Sequence, residues 1–274
     1  MYTGNSLTLQ GLTHCISDLH LSENTPQISH LFQTYCEQHT HGLKNLIILG
    51  DFFEFYLGDD IISPYQHHIA SMLQQLTHQG VQIYFMPGNR DFLVRQKFLD
   101  LFNGVLLKDP SVLVFNLLDQ KYILTHGDQL CTRDQGYQVL RFFLRAPWIE
   151  ALILKLPSSI RASAARYLRQ QSRAKHYTPL SQGERRKEDK NLYAAHDPYD
   201  VTEPALQKLY RTTGLSHMIH GHTHKQAVHP KNNTLRWVLG DWHHTGNYLA
   251  LSAPQAPEFL VVTGLEGAHR QSQS

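Results

Sequence analysis

The chain of 274 residues is 41% hydrophobic and 18% charged, which allows a core and excludes a disordered polymer. Its three cysteines, Cys15, Cys36 and Cys131, form no CxxC pair and argue against a disulfide framework. The opening "MYTGNSLTLQ" lacks the basic and apolar regions of a signal peptide, and the apolar stretch around "IEALILKLP" is too short and too charged to span a bilayer, so a cytosolic compartment is expected.

In chain order, "LTHCI" reads as a strand that ends in Ser17-Asp18-Leu19-His20. Thr25-Pro26 starts a helix on which Ile28, Leu31, Phe32, Tyr35 and Cys36 share one face. The strand "LIIL" ends in Gly50-Asp51, within "GDFFE". A second helix carries Ile69, Met72, Leu73 and Leu76, with Gly80 as its stop. "VQIYFM" leads into Gly88-Asn89-Arg90-Asp91, and "KYILT" into His126-Gly127-Asp128. Residues 133–195 break this rhythm and read as a helical insertion, or cap, interrupted near Pro147 and Pro157. Between Arg133 and Lys190 there are 13 Lys/Arg against 5 Asp/Glu, leaving 12 against 18 elsewhere, so a basic block joins an acidic body. The polar stretch 180–197 reads as a loop. After it, "SHMI" ends in His220-Gly221-His222-Thr223-His224, "LRWVL" ends in Gly240-Asp241, and "YLALSA" and "FLVVTG" close the pattern. The tail 265–274 reads as disordered.

Strand and helix alternation at the start predicts an α/β fold with two packed β-sheets flanked by helices. The predicted core spans 11–132 and 196–264, with the cap at 133–195. Polar residues at the C-terminal ends of strands line the crevice of such folds. That makes neighbours of Asp18, His20, Asp51, Asn89, His126, His222 and His224. These are oxygen and imidazole donors without a thiolate, a set that suits Mn²⁺, Fe²⁺ or Zn²⁺. Seven donors exceed the needs of one ion and suit two that share a carboxylate.

The ordered set "SDLH", "GDFFE", "GNRD", "HGD" and "GHTH" resembles the calcineurin-like metallophosphoesterase superfamily. "GNRDF", "LGDFFEFYLGDD" and "HGDQLCTRDQGYQ" resemble, more closely, its UDP-2,3-diacylglucosamine diphosphatase family in the lipid A pathway. The resemblance covers about residues 12–250. It implies that Asp18, His20, Asp51 and His224 hold one divalent ion, and that Asp51, Asn89, His126 and His222 hold a second, with Mn²⁺ foremost. It also implies substrate contacts from Asn89, Arg90, Asp134, Ser172, His176 and His222, with Tyr137 and Arg169 nearby. Where the family has a Lys, this chain has Pro179; Lys175, Lys187 and Lys190 stand close in sequence. The implied reaction is hydrolysis of UDP-2,3-diacylglucosamine to 2,3-diacylglucosamine 1-phosphate and UMP, by attack on the α-phosphorus at the cytoplasmic face of the inner membrane. The implied partners are this lipid nucleotide and an anionic membrane surface, with no nucleic acid and no obligate protein.

Arg90 stands where many members of the superfamily have His. Arg does not give up its proton, so it is a charge stabiliser and not a general acid. A departing phosphate needs little protonation, so the substitution fits diphosphate cleavage. Asp91 is expected to orient Arg90. Arg141, Arg161, Arg166 and Arg169 are expected to meet phosphates or headgroups. Phe142, Phe143, Leu144, Trp148, Ile149, Leu152, Ile153 and Leu156 are divided between a small core under the cap and a groove for acyl chains. The alternatives are a metallophosphoesterase on another nucleotide diphosphate or on nucleic acid, and a non-catalytic scaffold.

Overall fold

The computed structural model describes residues 6–115, 120–176, 199–252 and 254–263. Pro179, the stretch 180–197, the tail 265–274 and the side chains of Arg169, Ser172, Lys175 and His176 lie outside the described residues.

The elements run β1 (Ser6–Leu9), β2 (Thr13–Ile16), α1 (Pro26–Gln38), β3 (Asn45–Leu49), α2 (Pro64–His78), β4 (Gln82–Met86), α3 (Gln96–Leu99), β5 (Val105–Leu106), β6 (Ser111–Phe115) and β7 (Gln120–Thr125). Then follow α4 (Gln135–Leu144), α5 (Pro147–Lys155), α6 (Ser158–His176), α7 (Glu203–Thr213), β8 (His217–His220), β9 (Ala227–Lys231), β10 (Thr234–Val238), β11 (Gly246–Leu251) and β12 (Glu258–Val262). The first sheet has the order β12-β11-β2-β3-β4-β5, and the second β1-β6-β7-β8-β10-β9. The second sheet reaches back to Ser6, ahead of the boundary at 11 read from the sequence, because β1 pairs in parallel with β6.

Alternation of side chains along each strand builds the layers. Cys15, Ile47, Leu49, Met86 and Leu249 of the first sheet share a buried cluster with Leu113, Tyr122, Leu124, Ile219 and Trp237 of the second. Ile16, Leu46, Ile48, Ile83 and Phe85 point the other way and pack with Ile28, Leu31, Phe32 and Tyr35 of α1 and Ile69, Leu73 and Leu76 of α2. On the far side, Ile123 and Met218 meet Leu206 and Tyr210 of α7. The result is helix, sheet, sheet, helix.

Local chemistry starts and stops the helices that join parallel strands. Pro26 and Pro64 open α1 and α2. Ser63 and Gln66 form a capping box: Gln66 N donates to Ser63 Oγ at 3.2 Å, and Ser63 N to Gln66 Oε1 at 2.9 Å. Gly80, at φ 89°, turns the chain from α2 toward β4. These short connections stack the C-terminal ends of β2, β3 and β4 side by side.

Three helices, α4 to α6, stand over that end. They break at Pro147 and Pro157, and α4 and α5 contain no buried residue. Ile153 and Leu154 rest against the core, whereas Phe142, Trp148, Leu152, Leu156 and Ile160 remain exposed, Phe142 at 74%. No helix among the described residues is long and apolar enough to cross a membrane.

Candidate metal centre

The strand ends meet through tight loops. Asp18, His20, Asp51, His222 and His224 all take positive φ, between 50° and 69°. Such conformations cost energy in non-glycine residues and persist where surrounding structure imposes them. Their backbone bonds show what imposes them. Asp18 N donates to Gly50 O at 3.1 Å, His20 N to Asp51 O at 3.0 Å, and Gly221 N to His126 O at 3.0 Å. Gly88 and Gly221 allow the closest approaches: a Cβ would lie 2.3 Å from Asp51 Oδ1 at the first, and 2.4 Å from Asp18 Oδ2 at the second.

Two groups of donors result. Asp18, His20 and His224 offer ligand atoms within 4.8 Å of one another, as do Asp51, His126 and His222. Asn89 joins the second group, with Oδ1 at 2.9 Å from His126 Nε2 and 3.0 Å from His222 Nδ1. Asp18, Asp51 and His126 are buried.

The contacts inside these groups have the chemistry of cation sites. His126 Nδ1 donates to Leu49 O at 2.8 Å. Its Nε2 then faces the Asn89 carbonyl oxygen, so only a proton or a metal ion satisfies both lone pairs. His20 Nε2 and His224 Nε2 lie 3.2 Å apart with the same requirement. Asp18 Oδ2 accepts from Ser17 Oγ at 2.6 Å and His222 N at 2.8 Å. Its buried Oδ1 has no hydrogen bond among the described residues, with His224 Nε2 at 3.4 Å. The donor set therefore fits divalent cations.

Charge balance follows the same geometry. Burial opposes ionisation of Asp18, but the imidazoles of His224, His126 and His20 outweigh it and hold the carboxyl well below its usual range. Burial lowers the pKa of His224, but Asp18 and Asp241 outweigh it and raise the value to about 10. His222 is pushed down to about 4, by burial and then by His126. Asp241 Oδ2 lies 3.4 Å from His224 Nδ1, so it orients this ring from behind.

Arg90 stands beside the second group. Its backbone N donates to Asp51 Oδ1 at 2.9 Å, and Nη1 donates to Glu54 Oε2 at 2.7 Å. Asp91 does not orient it. That carboxylate is fully buried and accepts from Gly88 N at 2.6 Å, Phe52 N at 2.8 Å, Asp51 N at 3.3 Å and Phe53 N at 3.4 Å. Asp91 ties the "GD" and "GN" loops together. Burial, and next the charge of Asp51, raise its pKa to about 6.

Two cap arginines expected at phosphates are engaged elsewhere. Arg161 is 5% exposed and binds Asp60 Oδ1 at 2.8 Å. Arg141 Nε donates to Asp128 Oδ2 at 2.8 Å, where Tyr137 OH also donates at 2.6 Å. Arg145 extends from the same cluster to Gly88 O at 2.9 Å. Arg166 is exposed, with Nη2 at 3.3 Å from Ser163 Oγ. Asp134 caps α4, accepting from Tyr137 N at 3.0 Å, and the Tyr137 ring stacks on His222 with centroids 6.2 Å apart. Ser172 and His176 lie on the last turns of α6. The sequence reading gave no role to Glu54, Asp128 or Asp241, although each is an acid within three residues of an expected ligand or at a strand end.

Two stacked sheets with donor loops gathered at one end are the framework of a phosphoesterase, and the chain belongs to the calcineurin-like phosphoesterase family, whose profile matches residues 13–226. Within that family it is similar over most of its length to proteins named UDP-2,3-diacylglucosamine hydrolase. The one from Pseudomonas fluorescens (strain SBW25) is 40% identical, covering 84% of this chain and 88% of its own. The one from Coxiella burnetii (strain Dugway 5J108-111) is 39% identical, covering 85% and 90%. Among solved structures, an archaeal phosphodiesterase aligns over 91% of this chain and 99% of its own, at 12% identity and a TM-score of 0.44.

Proposed function

We propose that the chain hydrolyses the pyrophosphate bond of UDP-2,3-diacylglucosamine, releasing UMP and 2,3-diacylglucosamine 1-phosphate. The observation that carries this reading is the pair of donor triads beside Arg90, in a chain about 40% identical to hydrolases named for this substrate. Asp18, His20 and His224 would hold one divalent ion, and Asn89, His126 and His222 the other, with Asp51 between them. Mn²⁺ is the first candidate, because the donors are oxygen and imidazole without thiolate. When bound, such ions act as Lewis acids toward phosphoryl oxygens and lower the pKa of the attacking water.

The protein's own groups supply the rest. Arg90 carries a fixed positive charge next to the ligand carboxylate Asp51 and is placed to meet charge developing on the phosphoryl oxygens. Asp128 accepts from Tyr137 OH and so sets the cap ring that stacks on His222. Asp134, Ser172 and His176 are proposed substrate contacts. The exposed apolar side chains of the cap would receive the acyl chains and rest against the cytoplasmic face of the inner membrane.

The test is product analysis with purified protein, Mn²⁺ and UDP-2,3-diacylglucosamine in ¹⁸O-water. Attack on the α-phosphorus gives UMP carrying the label. Label in the lipid phosphate would move the attack to the other phosphorus, and release of UDP would refute diphosphate cleavage. For the ligands, Asp51→Ala is expected to lower the content of both ions and His222→Ala mainly one, read by metal analysis.

A further inference from the structure

We infer that Glu54 is the positioning residue of Arg90, holding one edge of its guanidinium so that the other stays open to the substrate. The inference rests on the proposed role of Arg90 at the reacting phosphate. Glu54 follows Asp51 by three residues, and the backbone amide Glu54 N bonds Leu21 O at 3.0 Å, fixing the turn on the loop that carries His20. Its carboxylate is only 6–7% exposed, so it is shielded from the water that weakens surface ion pairs. Oε2 accepts from Arg90 Nη1 at 2.7 Å and lies 3.8 Å from His20 Nδ1.

Arg90 is therefore held between two carboxylates of one turn. Asp51 Oδ2 approaches Nε at 3.4 Å, and Glu54 Oε2 takes Nη1. The two differ in what else they serve. Asp51 belongs to a donor triad, whereas Glu54 is in neither triad. Asp51 would share its charge with bound cations, whereas Glu54, outside both triads, makes its short hydrogen bond to the guanidinium. The bond is charge-assisted and short, and with the Asp51 contact at Nε it holds the guanidinium at two points. Nη2 makes no hydrogen bond among the described residues, and the Arg90 side chain is 31% exposed. That edge remains for a phosphoryl oxygen. Arg is suited to this arrangement because its donors lie in a rigid plane: fixing one edge aims the other.

The experiment is a double-mutant cycle with Glu54→Gln, Arg90→Ala and the combined variant, assayed on UDP-2,3-diacylglucosamine with saturating Mn²⁺. Glu54→Gln keeps shape and volume, and a thermal melt checks that it is folded; Glu54→Asp, which retains the charge on a shorter stem, serves as the conservative variant. Glu54→Gln is expected to lower kcat about 10-fold with KM nearly unchanged, because the loosened group acts in the transition state. Glu54→Asp is expected to recover part of that loss. The combined variant should be no slower than Arg90→Ala, since the effect of Glu54 passes through Arg90. Both single variants should bind two metal equivalents.

Multiplying losses in the combined variant, or loss of a metal equivalent in Glu54→Gln, would overturn the inference while leaving the role of Arg90 intact. A wild-type rate for Arg90→Ala would instead remove the reading on which it rests.

Discussion

At the scale of single residues, the acids at the strand ends divide by burial and by what they accept. Asp91 is legible in the sequence as part of "GNRD", yet its role is set by backbone amides from two loops. Asp91→Ala would leave those buried donors without an acceptor and is expected to cost about 3 kcal/mol, while Asp91→Asn, which keeps one acceptor, should cost less. Chemical denaturation of both variants measures this; equal stability would show the loops to be held by other bonds. His14 gives a pH prediction away from the metal centre. Its ring is 2% exposed, its Nδ1 is 3.0 Å from Tyr35 OH, and its pKa is lowered to about 4, by burial and then by His39. Between about pH 6.5 and 4 the unfolded chain binds a proton there that the folded chain does not. Stability from this ring is therefore complete above 6.5 and falls with pH, by about 3 kcal/mol over the window. His14→Gln should lose less stability than wild type over the same range, as followed by urea midpoints at pH 7 and pH 4.5.

At the scale of elements, the cap is joined to the core by ion pairs more than by apolar packing. Arg95 pairs with Glu150 of α5, Arg161 of α6 with Asp60, and Arg141 and Arg145 with Asp128. The last cluster is the deepest. Burial opposes ionisation of Asp128, but Arg145 and Arg141 overcome it and hold the carboxyl well below its usual range. Asp128→Asn would leave two cations facing a neutral amide and is expected to destabilise the protein by about 3 kcal/mol. Because Arg145 also donates to Gly88 O, the same variant should loosen the loop carrying Asn89 and Arg90. Hydrogen exchange should then rise in α4 and at residues 88–91; exchange raised in α4 alone would show that the cap and this loop are not coupled.

For the whole molecule, the proposed division of labour puts phosphate chemistry at the sheet ends and lipid recognition on the cap. Val139, Phe142, Trp148, Leu152 and Ile160 all keep about half or more of their surface exposed, from 51% to 74%. If acyl chains occupy this surface, UDP-glucosamine without them should show kcat/KM lower by at least about 10²-fold, since remote binding energy aligns the reacting phosphate. Replacing Phe142 and Trp148 by Ser should lower kcat/KM on the acylated substrate and leave the unacylated one unchanged. Equal values for the two substrates would separate the cap from substrate choice.

The sequence by itself determined the layer pattern, the helix starts at Pro26 and Pro64, and the seven donors at strand ends. Strand alternation, proline and short polar turns act locally, and their consequences are written in adjacent residues. Tertiary structure decided which acids meet which cations. Asp91 turned inward to backbone amides, Glu54 took Arg90, and Arg141 and Arg161 went to Asp128 and Asp60 instead of phosphates or headgroups. An acid and a base separated by up to 101 positions carry no periodicity that reveals their pairing. The choice rests on desolvation: a buried charge must find a partner, and only the packed loops and helices fix which partner lies within reach.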